Sequence, residues 1–343
     1  MKLRSGFLGF VLLWSFMSSC IGYERITIEV YKPASYSIPP NIRKIALISR
    51  NLKYANDTLQ NYQSKNHQLI KDKNHISTDS LAITTCLDSL ANQLVMHNTI
   101  DSITTLPVSV CPLNRVKEVR PAKIDWYKKI VNASNVDGLI ILDMFSCFYS
   151  QETNCDSPSA NIVTSNIWSF YDANQQKITD RHIQIDTLFW DRYDEKGYVT
   201  NKNIPGKKEA VVLASGVIGK NYSKHIVPSW NMVYRDIMVS KAPETKEAFR
   251  FAKNNEWEKA ITIWQKYADN KNRKNKIIGL YNLALSHEMN GEIDRAIGLI
   301  SQATELSFGL SLSSENEAVK KYQTVLYQRK IEIQKLELQY ETH

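Results

Sequence analysis

Past its N-terminal segment the 343-residue chain has no apolar run long enough to cross a bilayer, which takes about 20 residues of helix, so no later membrane span is expected. The spacings that mark several chemistries are also missing. No C-x-x-C pair offers zinc or thiol redox chemistry, no second histidine follows His287 as on a zinc-protease helix, and no G-x-S-x-G elbow presents a serine nucleophile. The string around Gly216, Gly219 and Lys220 has two residues between its glycines and Asn221 after the lysine. A phosphate-binding loop needs four residues there and a Ser or Thr after the lysine, so this string is read as close helix packing. The acid pairs Asp137/Asp143 and Asp186/Asp191 are not placed together by spacing alone. No catalytic residue, cofactor or metal is expected. The basic clusters Lys207-Lys208, Lys271 to Lys276 and Lys320-Lys321 have no interleaved aromatics to stack bases, which argues against nucleic acid as a partner.

The first residues show a secretory layout. Lys2 and Arg4 precede an apolar segment, Gly6 to Phe16, and the small pair Ser18-Ser19 leads to Cys20. Met17 is poorly suited to an ordinary cleavage site, and a cut before Cys20 fits better. The stretch Met17 to Cys20 resembles a bacterial lipobox, in which the cysteine becomes the first mature residue and is acylated. That resemblance implies a signal peptide over 1–19 and membrane attachment through Cys20; a plain signal peptide with an accidental cysteine is the alternative. Several acyl chains anchor a protein far more firmly than one. Removing the signal takes two of the eight net positive charges.

Four further cysteines, Cys86, Cys111, Cys147 and Cys155, are available in a compartment that permits disulfides. Of three possible arrangements the preferred one joins Cys147 to Cys155 and Cys86 to Cys111; buried free thiols are the other reading.

Residues 20–41 read as an extended lead, alternating at first and then broken by Pro33, Pro39 and Pro40. An α/β envelope domain is expected over 42–238. Its strands are predicted at Ile42 to Asn51, Leu139 to Met144 and the alternating pair within 161–190, with helices at Ser77 to Asn98, Pro121 to Asn135 and Lys208 to His225. The segment from Leu52 to His75 reads as loop. This order gives an α/β sandwich with a mixed sheet. It resembles the periplasmic domain of curli-secretion and penicillin-binding-protein-activator lipoproteins, where a strand like "DGLIILD" follows a helix.

The carboxyl-terminal third carries a more specific pattern. Leu280, Leu283, Ala284, Gly291, Ala296, Ile300 and Ala303 resemble a tetratricopeptide repeat, and Ala248, Asn255, Ala260 and Trp264 form an earlier copy. Small residues let two helices approach closely, and Gly or Asn permits the left-handed turn between them. Two repeats are placed at 241–310 and a capping helix at 311–343, with a coiled-coil segment as the rival reading of the tail. The fold class is therefore α+β, an N-terminal α/β sandwich followed by an all-α helical-repeat domain.

As a whole the chain resembles Bacteroidetes-type lipoproteins with C-terminal tetratricopeptide repeats, a resemblance that implies no reaction. The expected function is a non-enzymatic scaffold on the outer membrane, facing the periplasm, that binds another envelope protein through Asn282, Tyr281, Lys253 and Arg250 on the concave face of the repeats. The alternative is an enzyme or carbohydrate-binding lipoprotein with its site on the first domain, where Trp168, Trp190 and Trp230 would form a stacking surface.

Overall fold

The structure, a computed structural model, describes residues 21–56, 62–71, 75–96, 100–153, 158–193, 203–308 and 314–341. The signal segment, Cys20 and Cys155 lie outside these residues. In chain order the elements are β1 (Gly22–Lys32), β2 (Lys44–Tyr54), β3 (Tyr62–Lys65), β4 (Gln68–Lys71), α1 (His75–Val95), β5 (Ser102–Thr105), β6 (Asn114–Val116), α2 (Ile124–Ser134), β7 (Gly138–Glu152), β8 (Ser159–Asp172), β9 (Lys177–Asp191), α3 (Lys207–Ile226) and β10 (Ser229–Val239). Five helices follow: α4 (Pro243–Lys253), α5 (Trp257–Ala268), α6 (Arg273–Met289), α7 (Ile293–Ser307) and α8 (Ser314–Glu341). They form two compact units, an α/β unit over 34–228 and a helical-repeat unit made of 21–33 and 229–340.

In the α/β unit β2 runs parallel to β5, β6 and β7, while β7, β8 and β9 form an antiparallel meander, so the sheet is mixed. Ile45, Leu47, Ile140 and Leu142 point to the face covered by α1 and α3; Ala46, Ile48, Leu139 and Ile141 point to the face covered by α2. A strand buried on both faces reads as an unbroken apolar run, which is why Leu139 to Met144 stood out in the sequence. Helices α1 and α3 meet almost backbone to backbone at Gly219, where a Cβ would fall 2.2 Å from the Cys86 carbonyl oxygen. The close-packing reading of that string is correct at Gly219.

Part of the segment read as loop is a hairpin. β3 and β4 pair across Asn66 and His67, whose φ angles of 49° and 63° are those of a tight turn matched to strand twist. Asp79 of α1 pairs with the buried Lys53 ammonium of β2.

The repeat unit contains two antiparallel helix pairs and α8. Its buried alanines, Ala248, Ala260, Ala284, Ala296 and Ala303, lie on the facing sides of the helices. At Gly279 a Cβ would approach the Ala268 nitrogen to 2.1 Å, so α5 and α6 also touch through backbone. Asn255 (φ 63°) and Gly291 (φ 76°) make the left-handed turns expected of them. Val319, Tyr322 and Leu326 of α8 join the same core.

The domain limits differ from the sequence expectation at both ends. β1 is not a lead but pairs antiparallel with β10, from Gly22 opposite Val239 to Lys32 opposite Ser229, and this ribbon belongs with the helices. Two strands alone are at best marginally stable in water. Here Ile26, Ile28 and Val30 from one strand and Ile237 and Met238 from the other enter the helical core. The free edge of β10 is closed by Asn282 of α6, whose amide nitrogen donates to the Met238 carbonyl (2.8 Å) and whose oxygen accepts from the Met238 N–H (2.9 Å). The side chain thus takes the place of a third strand at that residue.

Candidate functional site

Since the ribbon lies on α6, the helix-pair surface expected to bind a partner is largely occupied by the chain itself. Ile278, Tyr281, Asn282, Leu285 and Glu288 of α6 are all buried. What remains open is a cavity of about 430 Å³ beside the ribbon, walled by Tyr23 and Arg25 of β1, Tyr234 of β10, Tyr281 of α6, and Lys321 and Tyr322 of α8.

A buried ion pair lies beneath it. Arg235 of β10 donates from Nη2 and Nε to the two oxygens of Glu288, at 2.6 and 2.9 Å, and both side chains are almost wholly buried. The Tyr322 hydroxyl donates to the same carboxylate at 2.8 Å. A two-pronged guanidinium–carboxylate pair with a third donor is the geometry in which burying charge is tolerated. Burial lowers the Arg235 pKa, but Glu288 more than compensates and the net shift is upward. Burial drives the Tyr281 and Tyr322 phenols far above their ordinary value, so both stay protonated, Tyr322 as the donor to Glu288. The two rings meet at 4.9 Å and 45°. At the rim, Arg25 lies over the Tyr234 ring at 5.7 Å and faces Asp236 at 3.5 Å. The rim thus presents aromatic faces, with Arg25 and Lys321 balanced by Asp236 and Glu317.

This arrangement suits recognition of an amphipathic segment: aromatic walls supply contact area and the rim supplies charge of both signs. Of the residues expected to contact a partner, Tyr281 is in the wall. Arg250 and Lys253 are exposed on α4 and do not line the cavity. Asn282 is a correction: it is fully buried and its amide is committed to Met238, so it faces no groove. Its polar character suggested a surface position, yet the surrounding stretch from Ile277 to Leu285 is buried on every side. A helix apolar all round is a buried helix, and that signal was present in the sequence. Arg25, Tyr234 and Lys321 were missed because the cavity depends on a strand pairing that no local pattern announces.

The Cys86–Cys111 pairing is also corrected. Both are free thiols: Cys86 is buried in the cluster between α1 and α3, while Cys111 packs with Trp126 on the opposite face of the sheet. The tryptophans do not form a stacking surface. Trp168 is fully buried, stacked on Tyr222 at 4.1 Å and donating to Gln184 at 3.0 Å; Trp190 is half-buried in the same core, and Trp230 is exposed in the other unit. Asp137 accepts the Arg43 and Lys44 N–H groups, whereas Asp143 binds Arg50 and Ser169, so the two acids act separately. His182 stacks on His225 at 4.0 Å, and His225 contacts Asp180 at 2.9 Å, between β9 and α3. Among the described residues no cluster of His, Cys, Asp and Glu is placed to hold a metal, and no helix is long and apolar enough to cross a membrane.

Comparison with known proteins gives families and distant likenesses. No curated protein matches the chain. Among solved structures, the PelC dodecamer from Paraburkholderia phytofirmans is 9% identical, with 59% of this chain and 97% of that chain covered and a TM-score of 0.23. A Xanthomonas campestris protein of the DUF330 family is 8% identical over 56% and 88% of the two chains, TM-score 0.24. The C-terminal domain of LpoB from Salmonella enterica is 7% identical over 42% and 83%, TM-score 0.16. Likenesses at these scores carry no argument about function. Residues 246–330 match the model described as Domain of unknown function (DUF6340). Residues 42–237, more than half of the chain, match the model described as Domain of unknown function (DUF8603), and the chain belongs to that family.

Proposed function

We propose that the protein is a lipid-anchored scaffold of the cell envelope, held on the periplasmic side of the outer membrane by Cys20, that binds a segment of another envelope protein in the cavity beside the β1–β10 ribbon and catalyses no reaction. The observation that carries this reading is the cavity itself. Four tyrosines and balanced rim charges surround a carboxylate already neutralised by Arg235, an arrangement with aromatic anchors and no activated nucleophile. Two further features support it. The helix pairs keep the small-residue and turn positions of a tetratricopeptide pattern, an architecture that presents binding surfaces. Cys20 lies two residues before β1, so an acylated N-terminus would bring the ribbon and its cavity close to the membrane surface.

The test is crosslinking and capture from intact envelopes. Tyr234→Ala, Arg25→Ala and Lys321→Glu alter exposed rim positions without touching the core; Arg250→Ala and Lys253→Ala serve as off-site controls. One dominant partner, lost in the rim variants and kept in the controls, is the expected result. A partner retained by every rim variant would overturn the assignment. Cys20→Ala is expected to release the protein from the membrane fraction, and protease shaving of whole cells to leave the wild type intact.

A further inference from the structure

A second cavity lies in the α/β unit, and its construction owes nothing to the repeats. β7, β2 and β5 are neighbouring parallel strands: the chain runs from β2 outward to β5 by way of α1 and back past β2 to β7 by way of α2, so the strand order reverses at β2 and the two helices cover opposite faces of the sheet. Where such connections diverge, a crevice opens beyond the carboxyl ends of the strands, and ligands of open α/β sheets bind there. In this protein the crevice is a cavity of about 540 Å³, lined by Arg50 and Leu52 of β2, the loop Val110 to Asn114, Ala122, and Trp126 of α2.

The backbone around it is irregular in a coordinated way. The β2–β7 register shifts between Ser49 and Leu52, and the β7–β8 register shifts between Leu142 and Met144, so both ladders break beside Asp143. Asn51, inside the β2 irregularity, has φ 49°, an uncommon conformation for a residue with a side chain. It is held by its own N–H to Ser49 Oγ (3.0 Å) and by Nδ2 to the Cys111 carbonyl (3.4 Å). Bulges re-aim side chains and are enriched next to functional sites, and strained residues persist where the surroundings over-determine them. Here the side chain re-aimed is Arg50.

Arg50 is anchored from one nitrogen. Nη1 donates to Asp143 Oδ1 at 2.7 Å and to the Arg120 carbonyl at 2.8 Å. Asp143 is itself buried, and the Ser169 hydroxyl donates to its other oxygen at 2.6 Å. Nε and Nη2 of Arg50 have no acceptor among the described residues, and the side chain remains 14% exposed at the cavity. The Trp126 ring lies 5.9 Å from the guanidinium carbon. The result is a planar cation fixed from behind, with a donor edge left over, facing the apolar side chains of Leu52, Val110, Leu113 and Ala122 beside the polar Asn114. A guanidinium edge matches the two oxygens of a carboxylate, and its planar neighbour suits an aromatic or flat apolar body.

The geometry points to a binding site for a small organic acid, its carboxylate against the free edge of Arg50 and its apolar body against Trp126 and the 110–113 loop. Asp143 is a positioning residue that holds the guanidinium in place. The site is independent of the scaffold reading, because every residue in it belongs to the α/β unit.

Saturation-transfer NMR on the full mature chain tests this with benzoate and indole-3-acetate, each beside its neutral amide. The acids should give signal at millimolar concentration, with the amides at least tenfold weaker. Arg50→Lys keeps a positive charge beside Asp143 but loses the fork, and should weaken acid binding at least tenfold. Leu113→Glu, at a 39% exposed rim position, sets a like charge at the entrance and should weaken it similarly with an unchanged melting temperature. Equal binding of acid and amide, wild-type affinity in both variants, or no signal from either acid would each overturn the assignment.

Discussion

The two units reach stability by opposite arrangements of the same parts. In the α/β unit the sheet comes first: β2 and β7 are apolar on both faces, and helices are laid over them. In the repeat unit the helices come first, and a ribbon too small to stand alone is accepted as a guest on α6. The consequence is visible in where polar groups are buried. The sheet unit keeps Asp143 and Arg50 where the ladders of two interior strands break, whereas the repeat unit uses Asn282 and the Arg235–Glu288 pair to fasten strand to helix. A buried polar side chain marks a ligand cavity in one unit and a joint in the other.

The strongest test of the comparison is removal. Lys32 and Ser229 are paired neighbours at the end of the ribbon, so replacing 34–228 by a short glycine-rich turn should leave a cooperatively folding repeat unit, read by circular dichroism and urea unfolding. Deleting 21–33 instead should unfold the repeat unit, because β10 loses its partner and the core loses Ile26, Ile28 and Val30. A helical unit that survives that deletion intact would show that the ribbon is not part of its core.

Next come the two glycines of close approach. Gly279→Ala and Gly219→Ala each force a methyl group into neighbouring backbone, at 2.1 and 2.2 Å, and each should destabilise its own unit by roughly 3 kcal/mol or more. Hydrogen exchange read unit by unit should show protection lost in the repeats for the first and in the α/β unit for the second. Asn282→Ala is smaller. It strands the Met238 N–H and C=O, and about 2 kcal/mol of repeat-unit stability should disappear from the urea midpoint.

The smallest effect is a pH dependence confined to the α/β unit. Burial, and then the neighbouring His225, hold the His182 pKa below its ordinary value, against the opposing pull of Asp180 and Asp186. The folded state therefore binds fewer protons than the unfolded one, and stability falls as pH drops through about 6.5 toward the lower folded value. His182→Gln should flatten the slope of the α/β unfolding midpoint between pH 7.5 and 5.5. A slope identical to wild type would place its origin elsewhere.

Legibility in the sequence followed the range of the interaction. β7, α1, α3 and the helix pairs were readable because each carries its own period, and the Asn255 and Gly291 turns because each needs a left-handed residue. The β3–β4 hairpin was obscured because neither strand carries an apolar face: Leu69 and Ile70 are adjacent and so fall on opposite sides, and Gln68 to Lys71 are exposed throughout. The ribbon was half visible: the alternation of Ile26, Ile28 and Val30 could be seen, but not a partner two hundred residues away. The same gap hid the repeat-side cavity, since its β1 and β10 walls, Tyr23, Arg25 and Tyr234, are brought together only by that pairing. The Arg50 site escaped for a different reason. A bulge leaves no compositional trace, and Asp143 at the end of an apolar run looks like a surface residue until its burial is known.

The pairing of β1 with β10 also decides how the molecule bears force. A chain held at its N-terminus and pulled through the helices that follow β10 is loaded at Gly22 and Val239, partners at one end of the eleven-residue antiparallel ladder, so the ribbon opens pair by pair from that end against the side chains beneath it. Tension crosses from β1 to β10 at the Gly22–Val239 end and reaches Lys32, Ser229 and the chain between them last. The α/β segment, inserted between Lys32 and Ser229, therefore bears no tension until the ladder has opened.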